Sequence, residues 1–160
     1  MLPLNLSRPI SRRVALLAGA AVTAVPRLRA SPLPMKKVIR PAKAAAPVGP
    51  YSHAVRTGSP LFCSGQIPLD PATGQLVAGD IRVQTERVLE NLRVLLEDQG
   101  LTFAHVVKST VFMTQLGDFA AMNEVYARYF PGEFPARSTV QVAALPRGAA
   151  VEIEVIASYE

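Results

Sequence analysis

Val151, Glu152, Ile153, Glu154 and Val155 alternate apolar and acidic without interruption. A period of two marks an extended strand, so this segment turns Val151, Ile153 and Val155 to one side and two carboxylates to the other. Such a strand needs a layer over its apolar face. Residues 80–99 supply one: Ile81, Thr85, Val88, Leu92 and Leu95, reinforced by Leu89 and Leu96, recur on one side of a helix. Asp80 stands as its N-cap and Gly100 as its stop. A second amphipathic helix starts at Asp118, with Phe119, Met122, Val125, Tyr126 and Tyr129 on one face, and ends at Pro131 and Gly132. Its aromatic stripe reads as core.

β-rich stretches at 52–56, 61–64, 106–113, 138–142 and 151–157, with a short edge strand at 36–40, complete the pattern. The order β, β, β, helix, β, helix, β, β predicts an α+β domain in which two helices pack on one face of a sheet. Within the last two strands, Arg137, Thr139 and Gln141 share one face, and Glu152 and Glu154 share another that meets either solvent or a neighbouring subunit.

Charge divides the chain into residues 1–34 and 35–160. Of 17 basic residues in the 160-residue chain, five (Arg8, Arg12, Arg13, Arg27 and Arg29) precede Met35, where there is no acid. That leaves twelve basic against all twelve acidic residues in 35–160, a formal balance of zero behind the overall charge of +5. Arg12 and Arg13 stand before an uncharged run from Val14 to Val25 that is shorter than the roughly 20 residues a membrane span needs. The segment is similar to a twin-arginine export signal, so residues 1–34 are expected to be a leader that takes the protein to the periplasm. The alternative is a cytoplasmic protein that starts at Met35. No stable membrane association is expected in either case.

Fifteen positions separate Arg137 from Glu152. Arginine keeps its charge and grips a carboxylate through two parallel hydrogen bonds, while a glutamate near an apolar wall can carry a proton. Together they could anchor an organic acid and activate water beside it. The alternative is an ion pair linking neighbouring strands. Cys63, the single cysteine, lies between Phe62 and Ser64 and reads as a buried, inert thiol. His53 and His105 fit no metal-ligand spacing, and neither is assigned a catalytic role.

Gly49-Pro50-Tyr51-Ser52, Ser64-Gly65-Gln66-Ile67-Pro68, Pro135-Ala136-Arg137-Ser138, Leu145-Pro146 and Glu152-Ile153-Glu154 occur in that order. Across about residues 36–158 the chain resembles the RidA family, also called YjgF, of reactive-intermediate deaminases. The resemblance implies a chorismate-mutase-like α+β subunit with a mixed sheet, assembled as a homotrimer with sites in clefts between subunits. It implies hydrolysis of enamine and imine acids, of the 2-aminoacrylate and 2-iminopropanoate type, to 2-oxo acids and ammonia, with no metal or organic cofactor.

By motif position, Arg137 matches the carboxylate-binding arginine, Glu152 the residue that positions water, and Tyr51 the tyrosine lining the pocket. Ser64 and Gly65 match the loop beside the ligand, and Asn123 and Phe119 match positions near the cleft. Thr139 stands where well-known deaminating members often have cysteine, and the segment between Asn123 and Arg137 is shorter than in some members. Two other functions are weighed. An endoribonuclease or translation inhibitor needs clustered basic residues, which the balanced charge of residues 35–160 does not favour, so no nucleic-acid partner is expected. A non-catalytic ligand-binding trimer would need the arginine but not the glutamate.

Overall fold

A computed structural model describes residues 35–130 and 132–160. Among them the strands are β1 (Lys37–Ile39), β2 (Ala54–Arg56), β3 (Pro60–Gln66), β4 (Val106–Met113), β5 (Ala136–Gln141) and β6 (Val151–Ser158). The helices are α1 (Ile81–Asp98) and α2 (Phe119–Tyr126). One sheet runs β1-β2-β3-β6-β4-β5. Only β4 and β5 pair in parallel, so the sheet is mixed, as expected. The export-signal reading falls on residues 1–34, outside the described residues, as does Pro131.

Alternation in β6 sets the layer order. Val151, Ile153, Val155 and Ala157 are buried, whereas Glu152 is half-buried and Glu154 exposed. Val88, Leu89, Leu92, Leu95 and Leu96 of α1 are fully buried in the same core. Each such leucine or valine contributes about 1.5–3 kcal/mol relative to exposure, so the helix is held by its apolar face rather than by propensity. The Asp80 carboxylate caps α1 by accepting from the backbone N–H groups of Arg82, at 3.0 Å, and Val83, at 3.1 Å. Gly100, at φ +71, turns the chain away in a conformation that costs glycine nothing.

The second helix differs from its sequence pattern. A 3-10 turn at Leu116–Asp118 precedes α2, Asp118 makes no side-chain capping bond, and a further 3-10 turn follows at Ala127–Tyr129. Met122, Val125 and Tyr126 are buried, but Phe119 remains 39% exposed. The strand expected at 138–142 begins earlier, at Ala136, because parallel pairing with β4 starts at Lys108↔Ala136. Among the described residues no helix is long and apolar enough to cross a membrane.

Candidate active site

The side chains of β5 inherit their direction from β4. Ser109, Val111 and Met113 are fully buried on the helix side, where they pair with Val155, Ile153 and Val151. Their partners on β5 are Arg137, Thr139 and Gln141, so Arg137 also faces the helical layer. Glu152 pairs with Phe112 and points to the opposite side. Three positions of β4, about 10 Å along the strand, further separate the two registers. Within one chain Arg137 and Glu152 therefore do not converge: period two and parallel pairing put them on opposite surfaces of one sheet. The same geometry excludes the interstrand ion pair.

Around Arg137 lies a groove of about 480 Å³ lined by Asn123, Tyr126, Ala127, Phe134, Pro135 and Arg137 itself. The guanidinium carbon sits 4.6 Å from the centre of the Tyr126 ring and 5.7 Å from that of Phe119. Tyr126 is held from behind, its hydroxyl 2.7 Å from that of Ser109 and its ring stacked on Phe130 at 4.5 Å. Ser109 is the register partner of Arg137, so one residue of β4 fixes the ring that seats the cation. Among the described residues the Arg137 guanidinium has no carboxylate partner and makes no hydrogen bond. A cation seated on aromatic faces keeps its forked donors free for an anion. Burial raises the Tyr126 phenol above its ordinary pKa, partly offset by the Ser109 bond and the nearby Arg137 charge.

Asn123 projects into this groove with its amide unbonded among the described residues. Thr139 shares the strand face of Arg137 but does not line the groove, and its buried hydroxyl oxygen has no partner among the described residues. Phe119 acts on the guanidinium rather than lining the groove. Tyr126 escaped the sequence reading because a helical aromatic stripe signals core, and at 2% exposure it is core as well.

On the other face, Glu152 lies in a pocket of about 220 Å³ with Val48, Tyr51, Ser64, Gly65, Ile67 and Pro146. A β-bulge builds it. Cys63 pairs with Val155 and Gln66 with Ile153, so Ser64 and Gly65 together stand opposite Glu154. The extra residue breaks the alternation, placing both beside the carboxylate. Glycine at 65 lets the Glu152 carboxylate take this position, because an added Cβ would overlap Glu152 Oε1 and come within 2.8 Å of its Cδ. Gly65→Ala is expected to leave the fold intact, since a flexible side chain can swing away. In any reaction that uses the Glu152 carboxylate it should cost about 10²-fold in rate, the scale of a 1 Å misplacement; circular dichroism and a rate comparison with the unsubstituted protein check the two halves of this prediction.

The Glu152 carboxylate has no hydrogen-bond or ion-pair partner among the described residues. Burial, first, and repulsion from Glu154, second, raise its pKa above the ordinary carboxylate value. A carboxylate whose proton affinity is raised in this way is a better acceptor of a proton from water than a solvated one. The hydroxyl of Ser64 donates to the Ser52 carbonyl at 2.7 Å, so it can only accept from a ligand. The Tyr51 hydroxyl accepts from the Val48 N–H at 3.2 Å and keeps its own proton free to donate. Cys63 is buried among apolar groups that push its thiol up to about 12, as expected of an inert cysteine. No group of three or more His, Cys, Asp or Glu side chains among the described residues could hold a metal ion.

The structure thus groups the sequence candidates into Arg137, Asn123, Phe119 and Thr139 on one side, and Glu152, Tyr51, Ser64 and Gly65 on the other. The family described as Endoribonuclease L-PSP matches residues 41–159. Protein DfrA of Myxococcus xanthus is 57% identical over 76% of this chain and 95% of its own length. A Mus musculus protein named 2-iminobutanoate/2-iminopropanoate deaminase is 48% identical over 77% of this chain and 90% of its own. The crystal structure of RidA from an Antarctic Psychrobacter superposes with a TM-score of 0.74 at 44% identity, covering 76% of this chain and 98% of that one. Fold, motif order and these relatives agree: the chain belongs to the RidA family, the group described as Endoribonuclease L-PSP.

Proposed function

We propose that the protein hydrolyses 2-imino acids and their enamine tautomers to 2-oxo acids and ammonia, at a site made when the Arg137 groove of one copy meets the Glu152 pocket of another. The observation that carries this reading is the division of the site. An unpaired cation and an unpaired, proton-accepting carboxylate stand on opposite faces of one sheet, each in its own concavity. The mouse relative's name supports the reaction class. The homotrimer implied by the family resemblance would supply the neighbouring copy. Phe62 and Val140 stay 43% exposed although their registers place them beside Ile156 and Phe112, an apolar surface suited to burial against that copy.

In this mechanism Arg137 holds the substrate carboxylate, with Asn123 beside it and Tyr126 and Phe119 beneath. An imine carbon is already electrophilic, so orientation and proton movement suffice. Glu152 takes a proton from water as the oxygen bonds to C2, and passes it to the nitrogen. It then moves the hydroxyl proton to the same nitrogen as the C2–N bond breaks. Both protons of the water finish on ammonia, and its oxygen becomes the ketone. Tyr51 and Ser64 bound the carbon skeleton on the Glu152 side.

The test generates 2-iminopropanoate in situ with an amino-acid oxidase and follows pyruvate. Release faster than the uncatalysed rate, in proportion to enzyme, is expected; release at the uncatalysed rate rejects the activity. The family description favours a second reading, RNA cleavage. With no formal charge excess in residues 35–160, the protein is expected to leave a labelled RNA uncut and to show no salt-sensitive affinity for it.

A further inference from the structure

The Glu152 pocket takes one wall from a segment with no regular structure. Residues 40–53 run from the end of β1 to the start of β2 without helix or strand, yet Val48 and Tyr51 line the pocket. Something must hold that wall, because an irregular segment without anchors samples many conformations. Tyr51 and Val48 bond each other, which ties the segment to itself and not to the sheet. Ser64 of β3 holds the far end of the segment at the Ser52 carbonyl, and the stretch before Val48 is held by a buried side chain unused by the chemistry.

We infer that His53 is a positioning residue that fixes the Val48–Tyr51 wall for substrate. Its ring is buried, at 7% exposure, and its Nε2–H donates to the Ala45 carbonyl at 2.7 Å, reaching back eight residues. Nδ1 is also buried and has no partner among the described residues, so the bond to Ala45 is the ring's single polar contact there. It also sets the tautomer, with the proton on Nε2. The backbone carbonyl of His53 accepts from the Ser64 N–H at 2.9 Å, at the entrance to the bulge that places Ser64 and Gly65. One residue therefore joins the segment before the pocket to the strand behind it. A small cavity bounded by Ala45, His53, Gly65 and Ile67 lies behind that wall, and Asn91 of α1 closes it by donating to the carbonyls of Ile67 and Leu69. His53 holds the Ala45 side of this cavity and Asn91 the Ile67–Leu69 side.

This inference rests on the deaminase reading only for its kinetic arm, and amide exchange tests it independently. His53→Leu keeps bulk but cannot donate, His53→Asn is too short to reach Ala45, and His53→Gln carries an amide N–H in range. In the full chain, His53→Leu and His53→Asn are expected to raise KM about tenfold, the scale of one lost hydrogen bond, with kcat within about twofold. His53→Gln should restore KM. Exchange at residues 45–51 should quicken about tenfold in His53→Asn, with unchanged protection in α1 and β4. Wild-type exchange in this segment, or protection lost equally across the core, would overturn the inference. A wild-type enzyme without deaminase activity would sink the proposed reaction and leave the exchange comparison to decide the role of His53.

Discussion

Arg137→Ala is expected to raise KM for an imino acid by about 10²–10³-fold, because it removes a two-pronged contact to the carboxylate and leaves that anion unpaired. Lysine at the same position should recover only part of the loss, since a point charge cannot reproduce the fork or sit on the rings of Tyr126 and Phe119. The decisive experiment mixes two inactive proteins. If a cation from one copy serves the carboxylate of the next, Arg137→Ala and Glu152→Gln subunits unfolded together and refolded at equal concentration must create some intact sites. Random assembly in a closed ring restores about a quarter of wild-type activity, because each site needs one sound Arg137 donor and one sound Glu152 donor. Each variant refolded alone should stay inactive. No recovery in verified mixed oligomers would show that the two groups do not share a substrate.

Glu152→Gln has the second large effect. The amide keeps the shape of the pocket but cannot take a proton from water, so kcat should fall by about 10²–10⁴-fold while KM stays close to wild type. The pH profile follows from the direction of the Glu152 shift. Its pKa stands above the ordinary carboxylate value, and the working form is ionised, so kcat/KM should decline on its acid side at a higher pH than a solvated glutamate would give. Stability changes in the opposite sense. A group whose folded pKa exceeds its unfolded value favours the native state below the unfolded pKa, and that advantage is lost as pH rises through the folded pKa. Relative to wild type, Glu152→Gln should therefore have an equal or higher Tm at neutral pH, the difference vanishing in acid. A Tm for Glu152→Gln well below wild type at pH 7, with no gain in acid, would mean that Glu152 is a structural contact instead of a strained functional group.

Much of the fold was legible because its signals are local. The five-residue alternation at Val151–Val155 and the apolar spacing of α1 depend only on which side chains avoid water, and both appear in the structure with Asp80 as cap. Where local signals conflict with packing, the boundaries moved: Asp118 does not cap α2, and β5 begins at Ala136 because its parallel neighbour extends that far. Gly65 illustrates a signal that was present but incomplete. A glycine within a strand pattern points to a bulge or a close approach, but only the register with β6 shows that Glu152 is what comes close.

The amino-acid order by itself determined the family, the layer architecture, and the faces of Arg137 and Glu152 within their own strands, since periodicity and motif spacing are properties of short segments. Only the tertiary structure decided that these two faces are opposite. The relative orientation of two strands is set by what lies between them, and here a single intervening strand, β4, pairs antiparallel with one and parallel with the other. That pairing seats Arg137 on Tyr126, and the pairing of β2 with β3 and of β3 with β6 brings His53 behind the Glu152 pocket. Neither contact has a short-range trace, because each joins residues whose separation in sequence says nothing of their distance in space.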